Sequence, residues 1–301
     1  MARKVEKPIF LVGTGRCGSM LLYRLLAEHP HVMYPTIVLD FWPTALRLNR
    51  LAMLAKRVPL LGRPLRDPLK AWEGFTFWEY HITGAKQPAG FSIPYRDLRE
   101  DDVMTYWKKS LHGVFGRMLT RKRHRLLTKL PGWTRVGFYK EVFPDAKVVH
   151  LIRKPHPVVN SLIKESWWHG WHGPAKWRWG PLTEEEDRIW KRYDESYVVL
   201  CAIQWKKTLE AYWLSINRLK PEQRRDCLEI YYTDLCENPA GIVRQVSEFC
   251  ELADSPAVQR AIARTPIESR DDKYKRDLTP KQQEQLEASL EDLQWRRHYG
   301  K

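Results

Sequence analysis

The 301-residue sequence is poor in cysteine and lacks any long apolar run. Its five cysteines are scattered and never spaced as Cys-x-x-Cys, so neither a disulfide framework nor a zinc site is indicated, and a reducing compartment is favoured. No apolar stretch approaches the roughly 18 residues that a membrane-spanning helix needs. The first ten residues, MARKVEKPIF, lack the apolar core of a signal peptide. We therefore predict a cytoplasmic globular protein and leave peripheral contact with a membrane open.

The charge balance is strongly basic. The chain has 51 Lys and Arg against 36 Asp and Glu, a formal net charge of +15. This excess favours acidic partners, such as nucleotides, anionic glycans, nucleic acid or an anionic membrane, but charge alone does not separate them. The 14 tryptophans supply aromatic faces for a ligand or for a large core.

Short strand patterns alternate with helical patterns along the chain. Strands are predicted at 9–13, 126–130, 147–152 and 227–233. Apolar spacing predicts helices at 19–29, 133–143, 157–166, 184–219, 240–252 and 280–297. This alternation predicts the α/β class, with a central, mostly parallel sheet flanked by helices, in one domain spanning 1–301. Residues 46–70 alternate basic and apolar side chains, and their first half predicts an amphipathic helix that serves as a lid, a membrane-surface patch or a core-facing helix.

A glycine-rich turn, Gly13–Gly18, separates the first strand from the first helix. Strand, turn and helix in this order direct backbone N–H groups and a positive helix end towards one point, which suits a phosphate or sulfate. The spacing of Gly13 and Gly18 is that of a P-loop, but Ser19-Met20 replaces the Lys-Ser/Thr that a Walker A loop uses. The turn therefore predicts an anion cradle, with Arg16 as its cation, that is not built for Mg-NTP.

Two further cations follow predicted strands. Lys129 lies in the strand at 126–130, and Arg153 follows the strand at 147–152. Because ligands gather at the carboxyl ends of parallel strands, the turn and these two cations predict a doubly anionic ligand at one edge of the sheet.

The segment 167–182 contains five tryptophans and two histidines. His169 and His172 have no third ligand nearby, so no metal site is predicted. The segment is interpreted as an aromatic wall or flap for a second ligand, with structural packing as the alternative.

Three segments together resemble sulfotransferases that use 3′-phosphoadenosine-5′-phosphosulfate (PAPS). GTGRCGSMLL at 13–22 resembles the 5′-phosphosulfate loop of that family. VVHLIRKPHPVVNS at 148–161 resembles its 3′-phosphate motif, in which Arg153 and Ser161 keep the family spacing. IYYTDLCENP at 230–239 resembles its later Tyr-Glu-Asp-Leu…Pro segment. The resemblance extends over nearly the whole chain.

The resemblance implies a P-loop-NTPase-like sulfotransferase fold. It also implies in-line transfer of a sulfuryl group from PAPS to a hydroxyl or amine, with adenosine 3′,5′-diphosphate as product and no metal required. Arg16 and Lys129 are the implied catalytic cations. The implied donor-binding residues are Gly15, Arg16, Cys17, Gly18, Ser19, Met20, Arg153, Ser161, Tyr232, Lys275 and Arg276.

At the positions where related families place the general base, this sequence has different residues. Cytosolic phenol and steroid sulfotransferases place a His two residues after the strand-end lysine, where this chain has Pro131. Carbohydrate and tyrosyl-protein types use a Glu soon after the first helix, and the corresponding stretch offers only Asp40. We therefore expect the chain to be closer to the carbohydrate and tyrosyl-protein types. Asp40 is nominated as the base, with Glu73 and Glu79 as alternatives.

The acceptor and the competing functions stay open at this stage. Insertions at about 31–98 and 167–183 are the expected acceptor walls, and they suit a small molecule, a glycan, a glycolipid or an aromatic metabolite; no nucleic-acid partner is expected, and the oligomeric state is not determined. One alternative is a P-loop-type nucleotide or sugar kinase, against which the missing Walker residues argue. The other is a non-enzymatic protein that binds anionic polymers or membranes, which the net charge favours.

Overall fold

The computed structural model describes residues 2–55 and 69–299. In this part of the chain five strands form one sheet in the order β2-β3-β1-β4-β5, and every neighbouring pair is parallel. The strands are β1 (Ile9–Val12), β2 (Val32–Met33), β3 (Arg125–Lys129), β4 (Lys147–Ile152) and β5 (Cys227–Tyr231). The predicted α/β class with a mostly parallel sheet is confirmed. Only β2, which has two residues, was missed, because it is too short to give a sequence pattern.

Helices flank the sheet and connect its strands. In chain order they are α1 (Ser19–Leu26), α2 (Val38–Phe41), α3 (Leu46–Ala55), α4 (Phe75–Thr83), α5 (Thr105–Met118), α6 (Val136–Val142), α7 (Pro155–Leu162), α8 (Glu184–Arg192), α9 (Tyr197–Arg218), α10 (Pro221–Arg224), α11 (Tyr232–Glu237), α12 (Pro239–Phe249), α13 (Pro256–Arg264), α14 (Lys273–Asp277), α15 (Pro280–Asp292) and α16 (Trp295–Tyr299).

Several helix starts follow directly from local chemistry. Proline occupies the first turn of α7, α12 and α15, where its fixed φ fits and no N–H is needed. The Asn238 side chain accepts the Gly241 N–H at 2.9 Å, and Thr279 caps α15 in the same way. Such caps satisfy N–H groups that have no partner inside the helix.

The prediction of one long helix over 184–219 is wrong. The chain forms α8 and α9 instead, because Asp194 (φ 56°) and Glu195 (φ 53°) adopt left-handed backbone conformations between them. The apolar stripe continues through both helices, so the sequence pattern alone did not reveal the break.

Other boundaries also differ from expectation. The predicted strand 227–233 ends at Tyr231, and Tyr232 begins α11. The insertion expected at about 31–98 contains α4, for which no helix is predicted above. The amphipathic helix expected in the first half of 46–70 is present as α3, whereas residues 56–68 lie outside the described residues.

The strand order fixes where a ligand is expected to bind. The chain leaves β1 towards β2 on one side of the sheet and leaves β4 towards β5 on the other. Since β1 and β4 are neighbours, their outgoing loops diverge and form a crevice at the carboxyl edge. The loop that begins with Gly13 and the residue Arg153 flank this crevice.

Two apolar clusters hold the helices on the sheet. One contains the four residues of β1 with α1, α5 and α6, and the other is built around α7 and α9.

Within the described ranges, no helix has both the length and the apolar character that crossing a bilayer requires.

One buried group in β4 makes stability depend on pH. His150 is fully buried against the Tyr212 ring, with 3.8 Å between ring centroids, and neither ring nitrogen has a hydrogen-bond partner. Burial lowers the pKa of His150 to about 3. The unfolded chain therefore binds a proton near pH 6.5 that the folded chain rejects.

We expect the free energy of unfolding to fall as the pH drops below about 6.5, by up to about 1.4 kcal/mol per pH unit from this group. A His150→Phe variant, which keeps a ring against Tyr212, should lose that part of the slope in urea titrations between pH 6.5 and 5. The exposed His124→Gln variant serves as the control. Equal slopes for the wild type and His150→Phe would contradict the assignment.

Candidate active site

The loop after β1 is built from left-handed residues. Gly15 (φ 75°), Arg16 (φ 55°) and Gly18 (φ 93°) all adopt this conformation, and α1 begins at Ser19. Arg16 carries a side chain in a conformation that favours glycine, and such strain is typical of functional loops. Successive residues of this kind form a concave backbone surface that binds anions.

Close packing leaves no room for side chains at two loop glycines. A Cβ added at Gly18 would lie 2.4 Å from Cδ2 of Tyr232. A Cβ added at Gly13 would lie 2.6 Å from Sγ of Cys17 and 2.7 Å from the Leu151 carbonyl oxygen. The loop is thus pressed against the end of β4 and the start of α11. The whole of Cys17 is buried, so its thiol does not face a ligand.

The two arginines singled out by the motifs meet in one place. The Arg153 Nη1 donates to the Arg16 carbonyl oxygen at 3.0 Å, and its guanidinium lies 3.9 Å from the centre of the Tyr232 ring. The Arg16 Nε donates to Ser161 Oγ at 2.9 Å. Residues from β1, β4, α7 and α11 are therefore brought together at the crevice between β1 and β4.

Carboxylates pair with the cations at this crevice. Arg16 Nη2 lies 3.0 Å from Glu165, and Arg153 Nε lies 2.8 Å from Asp271. Lys164 lies 2.6 Å from Asp277, and this hydrogen bond holds the pKa of the Asp277 carboxyl well below its usual range. An anionic ligand would compete with these carboxylates for the same N–H donors.

Lys129, the last residue of β3, is only 4% exposed and forms an ion pair with Glu73. Glu73 immediately precedes Gly74, the N-cap of α4. A buried ammonium needs such a partner, because an unpaired charge away from water is costly. The pair places an ammonium group and a carboxylate beside the loop after β1.

Arg16, Lys129, Arg153, Ser161 and Glu73 line one cleft of about 1290 Å³ at the carboxyl edge of the sheet. Among the described residues that line it, ten are Lys or Arg and four are Asp or Glu. One group of lining residues comes from α1, α11, α13 and the segment after α13, and includes Leu21, Leu25, Tyr232, Ala261, Ile267, Arg270 and Lys273. A second group is largely aromatic and apolar, and includes Trp72, Phe75, Ile93, Pro94, Trp133, Trp167 and Trp179.

Asp40 is not brought to this cleft. Its carboxylate accepts hydrogen bonds from the indole of Trp72 and from the backbone N–H groups of Thr76 (3.1 Å) and Phe77 (3.4 Å). Burial raises the pKa of the Asp40 carboxyl, although these hydrogen bonds oppose the rise. The nomination of Asp40 as general base is therefore not supported by its position, because both oxygens are engaged at the start of α4.

Glu79 is also structural. It is fully buried and accepts the backbone N–H groups of Ala89, Phe91 and Ser92 at 2.8–3.3 Å. Burial raises the pKa of its carboxyl, but these hydrogen bonds outweigh burial and hold the pKa below its ordinary value. Of the three carboxylates considered from the sequence, only Glu73 lines the cleft.

The basic pair predicted for donor binding, Lys275 and Arg276, lies in α14, a few residues after the cations that line the cleft. Lys275 pairs with Asp272 at 2.6 Å and Arg276 with Asp277 at 3.2 Å, and neither lines the cleft. The neighbouring Arg270 and Lys273 do line it. The charged stretch 268–278 was the available signal, but choosing among its cations required knowledge of how α14 is oriented.

The tryptophan-rich segment contributes to the core and to the cleft. Trp168 and Trp177 are buried and still line the cleft, whereas Trp167 lines it with 49% of its surface exposed. Trp179 packs on Gly132 and lies 5.4 Å from Trp133 between ring centroids. Lys164, Glu165 and Asp271 are the functional neighbours that sequence reasoning missed, because no motif marks them.

Comparison with known proteins decides the family. A model of the family described as "Sulfotransferase family" matches residues 8–256. The chain belongs to this family. A sulfotransferase from Mycobacterium tuberculosis, named omega-hydroxy-beta-dihydromenaquinone-9 sulfotransferase Stf3, is 26% identical over 175 residues, which are 52% of this chain and 45% of Stf3. The chain spans less than half of the length of the curated relatives it matches.

Solved sulfotransferase structures share the fold. Sulfotransferase STF9 from Mycobacterium avium superposes with a TM-score of 0.56 at 15% identity, covering 95% of this chain and 76% of that one. Sulfotransferase STF1 from Mycobacterium tuberculosis gives a TM-score of 0.50 at 17% identity and covers 96% of this chain and 76% of that one. The P-loop-like sulfotransferase fold expected from the motifs is confirmed.

We expect Asp40→Ala to destabilise the protein by about 1–3 kcal/mol, because it leaves the partly buried N–H donors of Trp72, Thr76 and Phe77 without an acceptor. Urea denaturation measures this loss. The matched control is Asp101→Ala, at an exposed carboxylate, which should change stability by less than about 0.5 kcal/mol. A stable Asp40→Ala protein would show that the carboxylate is not needed to hold α4.

Proposed function

We propose that the chain transfers a sulfuryl group from PAPS to a hydroxyl or amine of an acceptor with substantial apolar surface, releasing adenosine 3′,5′-diphosphate. The observation that carries this proposal is the 3.0 Å hydrogen bond from Arg153 to the Arg16 carbonyl oxygen. It joins the two anion-binding motifs at a single crevice. A ligand with anionic groups at both ends suits this arrangement, whereas a single phosphate would engage only one motif.

The donor would be held by groups of opposite charge and matching shape. The N–H groups of residues 15–20 and the Ser19 hydroxyl would bind the 5′-phosphate at the start of α1. The Arg153 guanidinium fork and Ser161 would bind the 3′-phosphate. Tyr232, packed on Gly18, supplies a ring for the adenine beside Leu25 and Ile267. Close backbone packing at Gly13 and Gly18 fits a loop whose N–H groups, rather than side chains, meet the donor.

The chemistry would rest on three side chains. Arg16 stabilises the negative charge that develops on the departing diphosphate as the S–O bond breaks. Lys129 contacts the sulfuryl oxygens as the group moves between oxygens in line. Glu73, paired with Lys129 on the aromatic side of the cleft, accepts the proton of the acceptor hydroxyl. The position of Glu73 favours it over Asp40 and Glu79, whose oxygens are engaged elsewhere.

The acceptor class follows from the second group of cleft residues. Trp72, Phe75, Ile93, Trp133 and Trp179 present aromatic and aliphatic surface around Glu73. Such a wall suits an aromatic or lipid alcohol. The name of the relative Stf3 describes an acceptor of that kind, a hydroxylated dihydromenaquinone. This similarity supports the proposal.

The direct test incubates the protein with PAPS and a panel of aromatic, lipid and glycan alcohols, and uses mass spectrometry to detect the gain of one SO₃. Arg16→Ala is the control for enzyme dependence. Calorimetry separates the kinase alternative: tight binding of ATP with Mg²⁺, together with no affinity for adenosine 3′,5′-diphosphate, would overturn the proposal.

We expect Arg153→Ala to weaken the binding of adenosine 3′,5′-diphosphate by at least tenfold, because a buried guanidinium fork to a phosphate is lost. The rate at saturating PAPS should change much less. Arg153→Lys should bind with intermediate affinity, since it keeps the charge without the fork. The control is Arg192→Ala, an exposed arginine paired with Asp292 outside the cleft. Equal affinity in Arg153→Ala and wild type would refute the assigned role.

We expect Glu73→Gln to lower kcat by about 10²–10⁴-fold, the range for loss of a general base, while calorimetric affinity for adenosine 3′,5′-diphosphate stays unchanged. The glutamine keeps a hydrogen-bond acceptor for Lys129. Asp40→Asn is the discriminating comparison and should leave kcat within about threefold of wild type. If Asp40→Asn abolished turnover and Glu73→Gln did not, the base would have to be reassigned.

A further inference from the structure

Helices α2 and α3 present an apolar surface to solvent. Five large side chains are exposed there, at fractions between 49% and 68%, and we call them the apolar ridge: Phe41, Trp42, Leu48, Leu51 and Leu54. Isolated exposed hydrophobic residues are ordinary, but five within fourteen residues, two of them with adjacent rings, are a concentration of the kind that marks an interaction site.

The opposite face of α3 fixes the helix to the protein. Asn49, Ala52 and Met53 are buried, and the Asn49 amide accepts the Thr36 N–H at 2.8 Å and donates to the Tyr34 carbonyl oxygen at 3.1 Å. Since 100° separates successive residues, these three lie on one side of α3 and the three leucines of the ridge lie on the other. The ridge is therefore a second apolar face on a well-anchored helix.

Two segments at the ridge are basic and lack acidic residues. Neither 41–55 nor 105–125 contains Asp or Glu. The Arg50 side chain donates to the carbonyl oxygens of Met118 (3.2 Å) and Leu119 (3.3 Å), which places the end of α5 beside α3. The exposed cations of these two segments are Arg47, Lys109, Arg117, Arg121 and Lys122.

The ridge is also connected to the cleft. Asp40 directly precedes Phe41, and its carboxylate accepts a hydrogen bond from the indole of Trp72. Trp72 lines the aromatic side of the cleft next to Glu73. The hydrogen bond between Trp72 and Asp40 thus links the cleft wall to the residue that precedes the ridge.

We propose that the apolar ridge docks the protein on an anionic lipid surface. Leucine and aromatic side chains enter the boundary between headgroups and acyl chains, and tryptophan in particular favours that depth. The surrounding cations are attracted to anionic headgroups and repelled by a second copy of the same basic face. Charge therefore favours a lipid surface over self-association. Docking is independent of sulfuryl transfer, and its test reads binding rather than turnover.

The experiment is vesicle flotation of the full chain. Vesicles of neutral phosphatidylcholine are compared with vesicles that also contain 30 mol% phosphatidylglycerol. We expect at least tenfold stronger partitioning to the anionic vesicles at 0.1 M salt, and loss of most of this difference at 0.5 M salt, where exposed charges are screened.

Two variants test the two components of the surface. Trp42→Ser/Leu51→Ser should lower partitioning at least tenfold, because apolar contact is lost, and Arg121→Glu/Lys122→Glu should remove most of the preference for anionic vesicles. The matched control is Leu214→Ser, at a leucine that is also about half exposed, 50%, on α9. Circular dichroism and affinity for adenosine 3′,5′-diphosphate show that each variant is folded.

Three results would overturn the proposal. The first is equal partitioning of wild type and Trp42→Ser/Leu51→Ser. The second is no binding to vesicles of either composition, which would leave a protein partner as the occupant. The third is concentration-dependent dimerisation in light scattering that Trp42→Ser/Leu51→Ser abolishes, which would assign the ridge to a second copy.

Discussion

The hydrogen bond between the Arg153 side chain and the Arg16 carbonyl oxygen is the contact on which the site depends. It ties the loop after β1 to the residue after β4, at the point where the connections of neighbouring parallel strands diverge. Arg16 is held in a left-handed conformation, and Gly18 is packed on Tyr232. Contacts from Arg153 and Tyr232 therefore hold the loop in its strained backbone conformation. Under the proposed function, such a loop would be pre-organised for the anionic donor, because contacts within the protein already fix its backbone.

Several cations of the cleft are paired within the protein itself. Arg16, Arg153, Lys129 and Lys164 each have a carboxylate partner, and the buried Arg135 donates instead to backbone carbonyl oxygens. Under the proposed function the donor exchanges phosphate oxygens for Glu165 and Asp271, whereas Glu73 stays with Lys129 because it is needed for the proton. The same basic excess that serves the cleft extends to the surface around α3. The proposed donor site and the proposed lipid surface then share one physical cause, a chain with 51 cations against 36 anions.

The aromatic content has a structural and a ligand-facing share. Trp78 and Trp205 are fully buried and do not line the cleft, whereas Trp72 and Trp167 are partly exposed and line it. Trp168 and Trp177 belong to both groups, because they are buried in the core and also line the cleft. One segment, 167–182, therefore contributes to the core and, under the proposed function, to the acceptor wall.

The sequence by itself determined the parallel α/β sheet and the glycine-rich loop after its first strand, and it predicted Arg16, Lys129, Arg153 and Ser161 as site residues. These depend on local patterns: β-branched runs, glycine spacing and cations directly after strands. The tertiary structure alone decided which carboxylate faces the cleft, because Asp40, Glu73 and Glu79 differ in their hydrogen-bond partners and not in their local sequence. It also decided that α8 and α9 are separate and that Arg270 and Lys273 line the cleft in place of Lys275 and Arg276. The break between α8 and α9 depends on left-handed residues, and the choice of cations depends on the orientation of α14. The spacing of apolar residues in the sequence reveals neither.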